Sequence, residues 1–200
     1  NGATTSVSGG SVQADNGSLA VNGSTTTISG GTLQSKGGNL TVGDTTTKTA
    51  TISGGSLNAD GGSINVRGSE SATLSGAILS AQKGTSATGG SIAINGGEVS
   101  IGTGGQLTAD NGQINLNGTK TTIDGGSLQS TNGQLSVTGS TSSTIKSGSL
   151  LADGGSITIN GATTSVSGGS VQADNGSLAV NGSTTTISGG TLQSKGGNLT

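Results

Sequence analysis

Apolar residues along this chain come in pairs two positions apart, separated by polar runs rich in glycine. In residues 1–21 the pairs are Thr5/Val7, Val12/Ala14 and Leu19/Val21. In 22–42 they are Thr26/Ile28, Leu33/Ser35 and Leu40/Val42, and in 117–137 Thr121/Ile123, Leu128/Ser130 and Leu135/Val137. A spacing of two is the strand period, so each pair predicts a short β-strand with both side chains on one face. Between the pairs stand Gly-Gly, Asn-Gly or Asp-Gly, residues that tolerate positive φ and let a chain turn a corner. The glycine load and the absence of a 3.6-residue period disfavour helix.

Three strands and three corners make one unit, and the units repeat. Seven of them run 1–21, 22–42, 43–66, 67–94, 95–116, 117–137 and 138–159. Residues 160–200 then reproduce residues 1–41 at every position, an offset of 159. The pattern predicts an all-β fold, a three-sided parallel β-solenoid of about 21 residues per coil with seven coils per 159-residue repeat. Residues 1–159 are expected to form one complete repeat and 160–200 the start of the next, within one continuous solenoid. Asn1 follows no initiator or signal-peptide pattern, Thr200 falls in mid-strand and neither end carries a capping sequence. The chain reads as a window on a longer protein.

Energetics require the coils to stack. One coil buries about four substantial aliphatic side chains, worth roughly 1.5–3 kcal/mol each. Ordering about 21 residues costs on the order of 20–40 kcal/mol of backbone entropy. A lone coil fails on that balance, whereas stacking adds a continuous backbone hydrogen-bond ladder between neighbours.

Charge placement supports the register. Glu98 and Lys120 share one outward column on adjacent coils, as do Asp124 and Lys146, and Asp15, Lys36 and Asp60 alternate in sign at the corner after the second strand. Strands stack about 4.8 Å apart, so opposite charges there pair. Two insertions break the period, at 43–49 and at 82–90. Both read as surface loops, either simple decoration or an interaction site; in the second, Lys83, Thr85 and Thr88 are the candidate contacts. Ile78 and Leu151 fall on outward positions, as lateral contacts between rods or as local bulges.

Composition narrows the chemistry. The chain has 200 residues, 42 of them glycine, and no His, Cys, Met, Pro, Phe, Tyr or Trp; net charge is −2. Without Cys or His there is no ordinary zinc, haem or iron–sulfur site and no Ser-His-Asp or Cys-His nucleophile. Without aromatic or basic clusters there is no nucleic-acid footprint, and no apolar run approaches the ~20 residues of a membrane-spanning helix. The aspartates of the turns (Asp15, Asp60, Asp110, Asp153) sit on alternate coils, too far apart to share a calcium ion. The expectation is no enzyme activity, no metal and no cofactor.

Units such as ISGGTLQSKGGNLTVNG and ISGGSLNADGGSINV resemble the imperfect repeats of filamentous-haemagglutinin-type proteins and related autotransported bacterial adhesins. That resemblance implies a right-handed β-helix, secreted and displayed as a long fibre at or beyond the cell surface. The outward column pairs Thr4/Ser6, Thr25/Thr27, Thr49/Thr51 and Ser71/Thr73 resemble in part the ice-binding faces of β-solenoid antifreeze proteins, although Glu98 and Lys120 interrupt the array. The expected role is a stiff extracellular fibre or adhesin stalk whose length follows repeat number. The alternative is a repetitive surface for glycan, ice or a neighbouring fibre, or a self-assembling biofilm filament. Expected partners are the chain itself, by end-to-end continuation or lateral bundling, and a surface or matrix glycan.

Overall fold

The computed structural model describes residues 2–84 and 89–200. Those residues form a parallel β-solenoid of nine coils, with all strands in a single sheet and every pairing parallel. The first coil shows the plan: Gly2–Val7 lies on the first face, Ser11–Ala14 on the second and Leu19–Val21 on the third. The coils stack in the register that the paired apolar positions predict. Val7 lies on Ile28 and Ile28 on Ile52; Leu33 lies on Leu57, and Leu40 on Ile64. Across the boundary between the two copies the ladder continues, with Leu135 on Ile157 and Ile157 on Leu178.

Six inward columns fill the rod. Four are bulky aliphatic columns, such as Leu33, Leu57, Leu79, Leu107, Leu128, Leu150 and Val171, all fully or almost fully excluded from solvent. Two are narrow and hold Ala, Ser, Thr or Val. In the first of these Thr121 and Thr164 donate to the carbonyls of Thr138 and Asn181, 2.7 Å in each case. In the other, Ser35 and Ser130 donate to the carbonyls of Gly17 and Gly112, also at 2.7 Å. A buried hydroxyl costs about 1–3 kcal/mol if unpaired. Here each one satisfies a carbonyl where the chain turns, so Ser or Thr can replace Ala inside the core.

The corners differ from the sequence expectation. The chain does not break at all three. The corner after the second strand interrupts the sheet in every coil, whereas the Asn-Gly corner between the third and first faces often stays within one strand, as in Ile64–Ser75, Ile92–Ile101 and Ile114–Thr131. Gly68, Gly96, Gly118, Gly139 and Gly161 remain register partners there, so the sheet bends without losing its ladder.

Positive φ is also not the only reason for glycine. At the corner after the second strand, every coil has glycine at one stacked position, from Gly17 to Gly197, and none of these has positive φ; the preceding residue takes it instead in several coils, as Gly37, Asn111 and Asn175 do. A Cβ on Gly133 would lie 1.8 Å from the Gly112 carbonyl oxygen, and one on Gly155 equally close to that of Gly133. The column is glycine because successive coils touch backbone to backbone.

Candidate functional site

With the core filled by aliphatics, all candidate chemistry lies on the outside. The first face carries the double column expected of it: Thr25 on Thr49 on Ser71, and Thr27 on Thr51 on Thr73, with Glu98 and Lys120 stacked in the next two coils. The Lys120 ammonium is 3.5 Å from Glu98. Lys146 lies 3.5 Å from Asp124, and Ser147 donates to the same carboxylate at 3.0 Å.

At the corner after the second strand, Lys36 is the register partner of Asp60 yet makes its ion pair with Asp15, at 3.3 Å. The Gln13 amide and then the Lys36 ammonium hold the Asp15 carboxyl below the usual aspartate range. The same pair recurs in the second copy as Lys195 and Asp174. Sign alternation fails at the boundary between copies, where Asp153 stacks directly on Asp174. All these pairs are exposed or half-exposed, and each contributes about 0–1 kcal/mol.

The insertion at 43–49 is a structural loop. Asp44 accepts from the Thr46 backbone N–H at 2.8 Å and from its hydroxyl at 2.6 Å, an Asx-type turn that lowers the Asp44 pKa. Thr47 is fully buried and donates to the Gly23 carbonyl at 2.7 Å. The loop also places Lys48 3.6 Å from Glu70, a pair that the repeat alignment does not reveal because Lys48 lies within the inserted residues.

Of the second insertion, Lys83 is exposed just beyond the strand Ile78–Gln82, while Thr85 and Thr88 lie outside the described residues. Ile78 and Leu151 both point outward from the second face, as expected. Ile78 is 45% exposed, stacked between Ser56 and Gln106. Leu151 is half-buried between Gln129 and Gln172. They occupy different columns, three coils apart, and do not form one patch.

A groove at the Asn-Gly corner was not legible in the sequence. It has a volume of about 590 Å³ and spans four coils, lined by Arg67, Asn95 and Asn117 just before the corner glycines in sequence and by Ser69, Thr119 and Ser140 just after them. A second hollow of about 380 Å³ shares Ser140 and continues past Asn160 and Asn181. The groove forms where coils turn through different numbers of residues. The register passes from Gly96↔Gly68 to Glu98↔Ser71 and from Gly118↔Gly139 to Lys120↔Ser142, two residues set against three in each case.

Among the described residues there is no group of three or more carboxylates, histidines or cysteines placed to hold a metal ion, and no helix long and apolar enough to cross a membrane. The arrangement offers hydrogen bonds and isolated charges along an extended surface. Comparisons with models of protein families, with curated proteins and with solved structures found no match to this chain.

Proposed function

We propose that this chain is a segment of a stiff extracellular fibre or adhesin stalk, a structural protein without enzyme activity, whose length is set by the number of 159-residue repeats. The observation that carries this reading is the boundary between copies. Thr138 stacks on Asn160, Gly139 on Gly161 and Ile145 on Val166, the same kinds of contact that join coils inside a repeat. Adding a repeat therefore lengthens one rod rather than adding a second domain. The inter-coil ladder resists bending, and a surface of Ser, Thr, Asn and Gly keeps the rod hydrated. The adhesin-like repeats support placement at the cell surface.

The reading is tested by electron cryo-microscopy of chains carrying one, two and three tandem repeats. Seven coils at about 4.8 Å each predict a gain of about 34 Å per repeat at constant width. Chains whose contour length does not grow in that step, or which fold back on themselves, would overturn it.

A second reading is lateral assembly of such rods into a bundle or matrix. It is favoured by Ile78, a large aliphatic residue 45% exposed in a second-face column otherwise made of Ser, Thr and Gln, with Thr32, Ser56, Gln106 and Ser127 stacked along it. Ile78→Glu should then disperse bundles in light scattering while leaving single rods intact.

A further inference from the structure

The groove at the Asn-Gly corner gathers around one cavity polar side chains that, like the outward threonines of the first face, make no hydrogen bond among the described residues. At the corner after the second strand, polar side chains are tied to the next coil: Asn132 donates to Asn111 and Asn39 accepts from the Ser63 backbone N–H, each at 2.9 Å; farther along the Asn-Gly corner, beyond the groove, Asn181 donates to Asn160 at 2.9 Å. Around the groove the pattern reverses. Among the hydrogen bonds and ion pairs between described residues, none engages the side chains of Arg67, Ser69, Asn95, Asn117, Thr119 or Ser140. Six groups able to bond face one cavity from four successive coils.

Charge singles out one end. Beside the groove, Lys48 is spent on Glu70 and Lys120 on Glu98. Arg67 is exposed and in no such pair, so the local balance is one uncompensated guanidinium, the side chain best suited to grip a carboxylate with two parallel hydrogen bonds.

Shape supplies the third constraint. The polar groups recur once per coil, about 4.8 Å apart along the rod axis. An extended peptide advances about 3.3 Å per residue and slips out of phase with that spacing. A pyranose ring in a linear chain advances by close to one coil, which brings successive ring hydroxyls opposite successive amides. For nucleic acid the groove offers one cation and no aromatic stacking platform.

The geometry points to this groove as a binding site for a linear uronate polysaccharide, lying along the rod with one carboxylate on Arg67 and its hydroxyls on Asn95, Asn117, Ser69, Thr119 and Ser140. Each groove binds weakly, since no aromatic ring packs on the sugar; tandem repeats multiply the contact by avidity. This goes beyond the fibre reading and can fail while the rod stands.

The test uses the 200-residue chain and a hexamer of galacturonate, with maltohexaose as the neutral probe. Amide resonances of Gly68, Gly96 and Gly118 are followed by NMR and affinity by calorimetry at low salt. Galacturonate should shift those amides and bind at least tenfold more tightly than maltohexaose. Arg67→Ala should weaken it about tenfold or more, the loss expected of a charge-assisted hydrogen bond. Asn95→Ala combined with Asn117→Ala should weaken it several-fold, with unchanged circular dichroism and melting in both variants. No binding, equal binding of the neutral hexamer, undiminished binding by Arg67→Ala, or shifts confined to the Thr-rich first face would each overturn the proposal.

Discussion

Residues 1–41 and 160–200 have the same sequence and very different surroundings. Val12 is 39% exposed, while its counterpart Val171 is fully buried. The inequality reverses in the second coil of each copy: Ile28 is fully buried and Ile187 is 55% exposed. The two copies share the path of the chain, with Thr32–Lys36 matched by Thr191–Lys195 and the same ion pair at 3.3 Å, Lys36 to Asp15 and Lys195 to Asp174. Local sequence thus determines the path of a coil, whereas burial comes from the coil stacked above or below. The stability of a solenoid residue is a property of neighbouring coils, as nearest-neighbour models of repeat proteins require.

The sharpest way to break this equivalence is the stacked glycine column. A Cβ on Gly17 meets nothing within 4 Å, but on Gly176 it would lie 2.1 Å from the Gly155 carbonyl oxygen. Neither residue has positive φ, so the difference is contact alone. Gly17→Ala should be neutral or slightly stabilising, by up to about 1 kcal/mol through lost chain entropy. Gly176→Ala should cost about 3 kcal/mol or more and open the coils beyond it. Hydrogen exchange checks both: amides of 160–200 should lose protection in the second variant only. Equal behaviour of the two alanine variants would refute backbone contact as the reason for the column.

Truncation of the core comes next. Leu33 is fully buried between coils, and Leu192 packs against the core from only one side. Leu33→Ala should cost about 2–5 kcal/mol, as for a buried leucine that leaves a cavity. Leu192→Ala should cost less than half as much. Chemical denaturation of each variant measures the gap, and near-equal losses would mean that stacking contributes little to burial.

This dependence on neighbours also explains what the sequence could reveal. Period-two pairing placed Thr26, Ile28, Leu33, Ser35, Leu40 and Val42 inward, and all six are buried. Column alignment paired Glu98 with Lys120 and Asp124 with Lys146, and both ion pairs form. It could not decide that Lys36 would choose Asp15 over Asp60, because both carboxylates flank it at one coil's distance. The Asp153–Asp174 stack was within reach of the same alignment, had it been carried from 138–159 into 160–200. Lys48–Glu70 and the groove were out of reach. Both depend on how unequal corner loops are accommodated, which the spacing of apolar pairs does not record. The glycine column was visible as sequence, but its cause was not, since Asn-Gly serves equally for positive φ and for close approach.

Removing a buried hydroxyl should have a smaller effect. Ser35 is fully buried and donates to the Gly17 carbonyl at 2.7 Å; Ser194 makes the same bond to Gly176 from a half-buried position. Ser35→Ala leaves that carbonyl without its partner and should cost about 1 kcal/mol. The loss is limited because the stacked residue in the next coil, Ala59, is itself an alanine. Ser194→Ala should cost less, because water can replace the donor. Thermal melts resolve the pair, and a larger loss at Ser194 than at Ser35 would contradict the ordering.

The smallest expected effect is electrostatic and concerns Asp15. Its carboxyl is held below the ordinary value by the Gln13 amide and then by the Lys36 ammonium. For a carboxyl whose folded pKa is depressed, the linked stability is present above the unfolded pKa, about 3.9, and is lost as pH falls through the folded value. Acidification below about pH 4 should therefore loosen coil 1 against coil 2, while changes between pH 5 and 8 leave this pair untouched. Lys36→Ala should move the Asp15 titration upward without abolishing its depression, because the Gln13 amide remains. Gln13→Ala should also move it upward, leaving the part held by the Lys36 ammonium. Carbon-detected NMR of the Asp15 carboxyl follows each titration directly. An Asp15 titration that stays in place in either variant would mean that the group removed does not hold this carboxyl down.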